Sequence, residues 1–310
     1  MNRLLKIAPC LVSLLLPLAA QAETQPAAPA AGTVPRIATV DWTIAETLLA
    51  LGVTPLAMGD VESYRAWVGE PTLPVDVVDI GLRMQPNREL LAELKPDLIL
   101  ISPLMASLEP TLSRIAPVQS IALYEPDADL WQRLREATLT IAALVNRTVE
   151  AERQLTVLDR DLARMKTSLP ADLPPLLLVQ FIDERHVRVF GRHSLFEAVM
   201  ARLGLRNAWQ GETNAWGFSV VSLEQFLTLP EARLVVVDPV PVGVSERLQE
   251  PGLWQHLPLV KQGKVFHLPA VWSFGGILAA RRFADLLSEA LREASPSDPA
   301  THVNTKGGTR

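Results

Sequence analysis

From Arg147 to Leu169 the chain carries no glycine and no proline until Pro170, and Ala151, Leu155, Leu158, Leu162, Met165 and Leu169 recur at spacings of four, three, four, three and four. That rhythm is one apolar stripe on an otherwise charged helix. At about 1.5 Å per residue the helix is roughly 33 Å long, enough to cross between two lobes in one pass. A helix packed inside a single domain would satisfy the same pattern, so the flanking sequence has to decide. Linkage by one rigid helix, rather than by flexible strands, implies small lobe movements on binding.

The flanks repeat one plan. Before the helix, Arg36 to Val40 reads as a strand. Ile44 to Leu51 reads as a helix ending at Gly52, and Thr54 to Met58 as a second strand. Glu89 to Leu94 is a helix stopped by Lys95-Pro96, and Asp97 to Ser102 is a short buried strand. After the crossover, Leu176 to Ile182 and Val187 to Phe190 read as strands and Leu195 to Leu203 as a helix closed by Gly204. A helix opening at Ser222-Leu-Glu224 and ending at Leu229-Pro230 leads to the strand Leu234 to Asp238. Alternating strands and helices predict α/β lobes with largely parallel sheets. The expected architecture is two Rossmann-like α/β lobes joined by one long α-helix, with a ligand cleft between them. The expected boundaries are a lobe over 36–146, the interlobe helix over 147–169 and a second lobe over 170–294.

The first 22 residues read as a secretory signal. Arg3 and Lys6 precede the apolar run Leu11 to Ala20, and Ala20-Gln-Ala22 is a small-x-small cleavage site. Residues 23–35 are an Ala/Pro-rich leader, and 295–310 form a polar tail expected to be disordered. The only cysteine, Cys10, falls inside the signal, so the mature chain is expected to have no disulfide and no thiol nucleophile. Loss of the signal takes the formal charge from −5 to −7, a balance that argues against nucleic acid. The expectation is a soluble, monomeric protein of the periplasm.

Motifs for chemistry are missing. No Gly-x-Gly-x-x-Gly fingerprint opens a helix, and neither a P-loop nor a Gly-x-Ser-x-Gly elbow occurs. The histidines at 186, 193, 256, 267 and 302 lack the short paired spacing of a metal site. Asp159 and Asp161 fall on the charged face of the long helix. No catalytic residue, metal ligand or cofactor is expected.

Tryptophans in apparent loops are the unusual feature. Trp67 precedes the turn residues Gly69-Glu-Pro71, Trp209 and Trp216 bracket a Gly/Asn-rich stretch leading to Phe218, and Trp272 sits in Pro269-Ala-Val-Trp-Ser-Phe274-Gly-Gly276. Each ring could simply cap a core. Several on irregular backbone in both halves instead suit a pocket for a bulky ligand with an apolar body and a polar centre. Arg83, between Gly81 and Pro86, supplies a charged planar fork of donors, suited to oxygens around a chelated ferric ion. A surface ion pair is the plain alternative for it.

These residues also carry a resemblance. Tyr64-Arg-Ala-Trp67-Val, Val78-Asp-Ile-Gly-Leu-Arg83, Ser194-Leu-Phe, Asn207 to Gly217 and Pro269-Ala-Val-Trp272 are similar to segments of the FhuD-type family of periplasmic ferric-hydroxamate-binding proteins, from about Arg36 to Leu291. The resemblance implies a shallow aromatic cleft lined by Trp67, Arg83, Leu104, Asn214, Trp216, Phe218, Trp272 and Phe274. It implies a ferric hydroxamate siderophore as ligand, so that iron enters only as cargo. It also implies an inner-membrane ABC permease as partner, docked through Glu109 on one lobe and Glu246 on the other. Two family tyrosines are absent: Leu104-Met-Ala occupies one loop, and Phe274 stands for the other. A less polar rim follows. Another iron chelate or a corrinoid as ligand, or a periplasmic siderophore-modifying enzyme, remains an open alternative.

Overall fold

Each half of the chain builds its own sheet, and the stripe-bearing helix runs between them. The computed structural model describes residues 34–293 except 126, 127, 230 and 264. The expected signal peptide, nearly all of the leader and the tail lie outside the described residues.

The first sheet is wholly parallel. Its strands are β1 (Ile37–Thr39), β2 (Ala57–Met58), β3 (Val78–Asp79), β6 (Leu98–Ile101) and β7 (Val118–Ser120), in the order β3-β2-β1-β6-β7. A two-stranded ribbon of β4 (Gly81–Leu82) and β5 (Gln85–Pro86) hangs beside it. The second sheet comprises β8 (Leu176–Phe181), β9 (His186–Phe190), β10 (Phe218–Ser222), β11 (Arg233–Val237) and β12 (Val265–Leu268), in the order β10-β9-β8-β11-β12. It is mixed: β8, β11 and β12 are parallel, whereas β9 runs antiparallel to both β8 and β10. β8 is buried along its whole length, as a central strand covered on both faces must be. In each sheet the chain leaves its first strand on one side and returns on the other, between β1 and β6 and between β8 and β11. The carboxyl ends beside such a reversal are where α/β proteins gather ligands.

The crossover helix spans Thr148–Ser168, one residue inside the expected limit at each end. Ala151, Leu155, Leu158, Leu162 and Met165 are all buried, so the stripe is the packing face. It rests on helices from both halves: Leu130–Leu144 before it, Leu195–Leu203 and Ile277–Glu293 after it. The last of these also packs on the first helix, Trp42–Ala50. The lobes therefore share one hydrophobic core that runs from Ile37 and Trp42 through Leu158 to Phe196 and Phe283.

Several boundaries move for identifiable reasons. The first helix begins at Trp42, earlier than expected, because the Asp41 side chain accepts from the Thr43 and Ile44 amides and caps it. Trp67, expected in a loop, closes the helix Val61–Trp67, and Phe218 opens strand β10. The segment after Ser222 is a 3₁₀ helix, Leu223–Thr228, in place of an α-helix.

Asp161, expected on the charged face of the long helix, is buried at the seam between helices. Its Oδ2 meets Arg281 of the last helix at 3.0 Å, and its Oδ1 meets Arg160 and Arg164 at 3.3 Å. Asp161→Ala is expected to cost about 1–3 kcal/mol, since it removes a buried charge-assisted acceptor. Asp159, half-exposed and paired with Arg135 at 2.8 Å, should cost under about 1 kcal/mol when changed the same way. Equal losses of the two variants in urea denaturation would discard Asp161 as a clamp.

Candidate functional site

The site starts from a helix cap. Asp41 lies two residues past the end of β1, and Ser102 directly follows β6, the neighbouring strand. Asp41 divides its carboxylate: Oδ1 caps the first helix, while Oδ2 accepts from Ser102 Oγ at 2.7 Å and faces Arg83 Nη2 at 3.6 Å. Arg83 sits at the tip of the β4–β5 ribbon. Its Nε donates to the Val40 carbonyl at 3.0 Å, and its guanidinium lies 4.5 Å from the Trp42 ring centroid and 6.0 Å from that of Trp272. Burial pulls the Arg83 pKa down, and Asp41 and Asp60 push it back up. The Val40 carbonyl and the Asp41 carboxylate thus hold the fork at the cavity wall.

Opposite, an aromatic cluster grows from the second half and is joined by Tyr124 of the first. Phe274 is its hub, with ring centroids 5.2 Å from Trp272, 5.5 Å from Trp216, 5.9 Å from Phe218 and 6.0 Å from Tyr124. Tyr124 and Trp216 lie 5.6 Å apart with their planes 36° from parallel. Edge-on and tilted arrangements of this kind are those that ring quadrupoles favour. Thr43 ties the two sides together: its Oγ1 donates to the Phe274 carbonyl at 2.7 Å and accepts from Trp272 Nε1 at 3.0 Å. Tyr124 Oη donates to the Gly275 carbonyl at 3.3 Å. Beneath, the buried Glu46 accepts from the Gly276 and Ala279 amides, and burial lifts its pKa to about 8.

Between these walls lies a cavity of about 390 Å³. Of the residues expected to bind ligand, Arg83, Leu104, Trp216, Phe218, Trp272 and Phe274 line it. Trp67 and Asn214 do not. Trp67 packs against the core, with the Arg188 guanidinium 6.0 Å from its ring. Asn214 builds the turn that presents two of the rings: its Oδ1 accepts from the Trp216 and Phe218 amides at 2.9 and 3.3 Å. Leu104 lies on the 3₁₀ helix Pro103–Leu108 and is largely exposed. Glu109 and Glu246, each in the first turn of a short helix, are exposed.

Sequence reasoning missed Asp41, Thr43, Ser102, Tyr124 and Arg188, all of which line the cavity. For Asp41 a signal existed, since an aspartate between a strand and a helix is a cap at a sheet's carboxyl edge. Tyr124 changes the expectation about the rim. One phenol is present in the cluster, though its hydroxyl is engaged by Gly275.

This two-lobed arrangement has known relatives. Residues 37–271 match the family described as periplasmic binding protein. The chain belongs to that family. It is 37% identical to the iron(3+)-hydroxamate-binding protein FhuD of Escherichia coli (strain K12) over 83% of this chain and 86% of the relative. It is 27% identical to the Fe(3+) dicitrate-binding periplasmic protein FecB of the same organism, over 80% and 82% of the two chains. Among solved structures, the siderophore-binding FhuD of Vibrio cholerae, bound to Fe3+-Desferal, superposes with a TM-score of 0.79 at 28% identity, covering 84% of this chain and 98% of that one. The family resemblance and the two-lobe fold drawn from the sequence are borne out. Relatives of this kind are substrate-binding transport proteins, and no helix among the described residues is long and apolar enough to cross a membrane.

Proposed function

We propose that this protein is a periplasmic carrier that binds ferric hydroxamate siderophores and delivers them to an inner-membrane ABC importer. The observation that carries the reading is Arg83, held between Asp41 and two tryptophan rings at the edge of an aromatic cavity. A ferric hydroxamate presents carbonyl and deprotonated N-hydroxyl oxygens at its centre and a hydrocarbon body outside. The guanidinium fork matches the first, and Trp216, Phe218, Trp272 and Phe274 match the second. The chelate supplies all six iron donors, so the protein needs to contribute none. The similarity to the Escherichia coli and Vibrio cholerae FhuD proteins points the same way.

The carrier works without covalent chemistry, as a monomer. Its lobes correspond to 36–146 and 170–294, and 147–169 connects them. Their shared core supports small movements on binding rather than wide closure. Glu109 and Glu246, one on each lobe, are the acidic groups offered to the permease. The signal of residues 1–22 directs the chain to the periplasm.

Titration with ferrichrome and ferrioxamine, followed by tryptophan fluorescence, tests the reading, with quenching expected. Quenching by a catecholate or a corrinoid, and by no hydroxamate, would replace the ligand class. Mass analysis after incubation should return the siderophore unchanged, and a modified product would establish an enzyme instead. Arg83→Ala is expected to weaken binding about 10- to 100-fold, the range for charge-assisted hydrogen bonds. Arg65→Ala, at an exposed position outside the cavity lining, should leave binding unchanged. Equal effects of the two would remove Arg83 from the site.

A further inference from the structure

The two arginines that line the cavity differ in what balances them. Arg83 has Asp41 beside it at 3.6 Å. Arg188, half-buried on β9, has a neutral partner: its Nη1 donates to Gln180 Oε1 at 3.3 Å, across the β8–β9 pair. Its guanidinium also lies 5.5 Å from the Phe218 ring centroid and 6.0 Å from that of Trp67. Burial lowers its pKa, and no carboxylate among the described residues acts in the opposite sense. Rings at such distances stabilise a cation without neutralising it. This also gives Trp67 a place beside the site despite its absence from the lining: it flanks Arg188.

Among the described residues, the cavity lining holds one acidic side chain, Asp41, and two basic ones, Arg83 and Arg188. Glu46 lies close by, but burial keeps its carboxyl protonated up to about 8. Among the described residues one positive charge is therefore left uncompensated in a partly desolvated cleft. Such a charge is costly unless the occupant brings an anion.

Ferric complexes of hydroxamates divide by charge. Three hydroxamates, each −1, cancel Fe³⁺ and give a neutral complex. Two hydroxamates plus the carboxylate and ionised hydroxyl of an α-hydroxycarboxylate give a complex of charge −1. We infer that Arg188 is the cargo-selecting residue of the cleft, and that the favoured cargo is an anionic ferric complex in which two hydroxamates and one α-hydroxycarboxylate hold the iron. The inference rests on the cleft accepting ferric hydroxamates at all. It adds which of them the cleft prefers and which side chain makes the choice. Arg83 serves the oxygens common to every member of the class, while Arg188 reads net charge.

The test uses the mature protein and three ferric probes: schizokinen, a citrate bis-hydroxamate (anionic); ferrichrome (neutral); and ferrioxamine B, which carries a free ammonium (cationic). Dissociation constants are read from tryptophan quenching at one pH and ionic strength. The expected order of affinity is anionic, then neutral, then cationic. Arg188→Gln should weaken the anionic complex about 10-fold or more, as loss of a charge-assisted contact does, and ferrichrome less than about 3-fold. Arg188→Lys, which keeps the charge, should keep the order and guards against a variant that fails for lack of folding. If Arg188→Gln weakens all three probes by one factor, or the unaltered protein does not favour the anionic probe, the inference is overturned while the hydroxamate reading stands. If none of the three quenches, both fall.

Discussion

Gly217→Ala is expected to cost about 3–5 kcal/mol and to abolish siderophore-dependent quenching. Gly217 sits at φ +77° between Trp216 and Phe218, two of the cavity's rings. Its amide donates to the Asn214 carbonyl at 2.9 Å, and its carbonyl accepts from the Gly191 amide at 3.0 Å. A β-carbon there would overlap the backbone of His193 and Ser194. Ser194 is itself fixed, because its Oγ caps the helix Leu195–Leu203 and donates to Gly191. Neither side of the clash has a flexible end that could yield. The left-handed conformation alone costs a non-glycine residue about 1–2 kcal/mol, and backbone overlap raises this to the severe range. Gly243→Ala is the control. Gly243 has φ +80° but nothing within 4 Å of the added carbon, so only the conformational cost of about 1–2 kcal/mol applies. If Gly217→Ala unfolded no more readily than Gly243→Ala and still bound ligand, the turn could not be the rigid mount described.

The second large effect is a pH dependence of stability that runs opposite to ordinary acid denaturation. Glu46 is fully buried, and its Oε2 has no hydrogen-bond partner among the described residues. Desolvation is the main cause of its raised pKa of about 8. The Gly276 and Ala279 amides oppose the shift, and Asp41 adds to it. The nearby tyrosines, Tyr64 and Tyr124, have their pKa values pushed up, so they stay neutral throughout. The folded state therefore holds a proton on Glu46 that the unfolded chain releases near the ordinary value of 4.5. The stabilisation is fully present below that value and is lost as pH rises through about 8. Over this window each pH unit should remove up to about 1.4 kcal/mol. Glu46→Gln keeps an acceptor for the Gly276 amide and never ionises. It should flatten the dependence and exceed the unaltered protein by roughly 2 kcal/mol or more at pH 8.5. Superimposable pH profiles for the two proteins, measured by thermal unfolding, would sink the assignment.

What the sequence revealed follows from how local each cause is. The crossover helix was legible almost to the residue, because a stripe spaced by threes and fours needs no knowledge of its partners. Leu195–Leu203 with its Gly204 stop was legible for the same reason. Trp67 and Phe218 were misplaced onto loops, since a seven-residue helix and an antiparallel edge strand are set by what they pack against. The glycine-rich stretches pointed to residues that the fold does bring to one cavity. Arg83, Trp216, Trp272 and Phe274 do converge, yet the reason for their convergence is Asp41 and Thr43, which lie far away in sequence and carry no motif. Arg188 was invisible because nothing in Arg-Val-Phe distinguishes a strand arginine that salt-bridges from one that does not. What makes it notable is a neutral partner, Gln180, with no facing carboxylate among the described residues.

The shared core has a consequence for how such a protein can change over time. Thr43, Glu46 and Tyr124 in one half bond to the Phe274–Ala279 segment of the other, and apolar side chains of both halves fill the space behind them. Neither lobe is a module that could be exchanged for that of a distant relative, because the graft would leave half of a mating surface without its complement. New cargo has to be acquired one residue at a time on the cleft walls, at positions such as Leu104 and Arg188 that lie outside the seam.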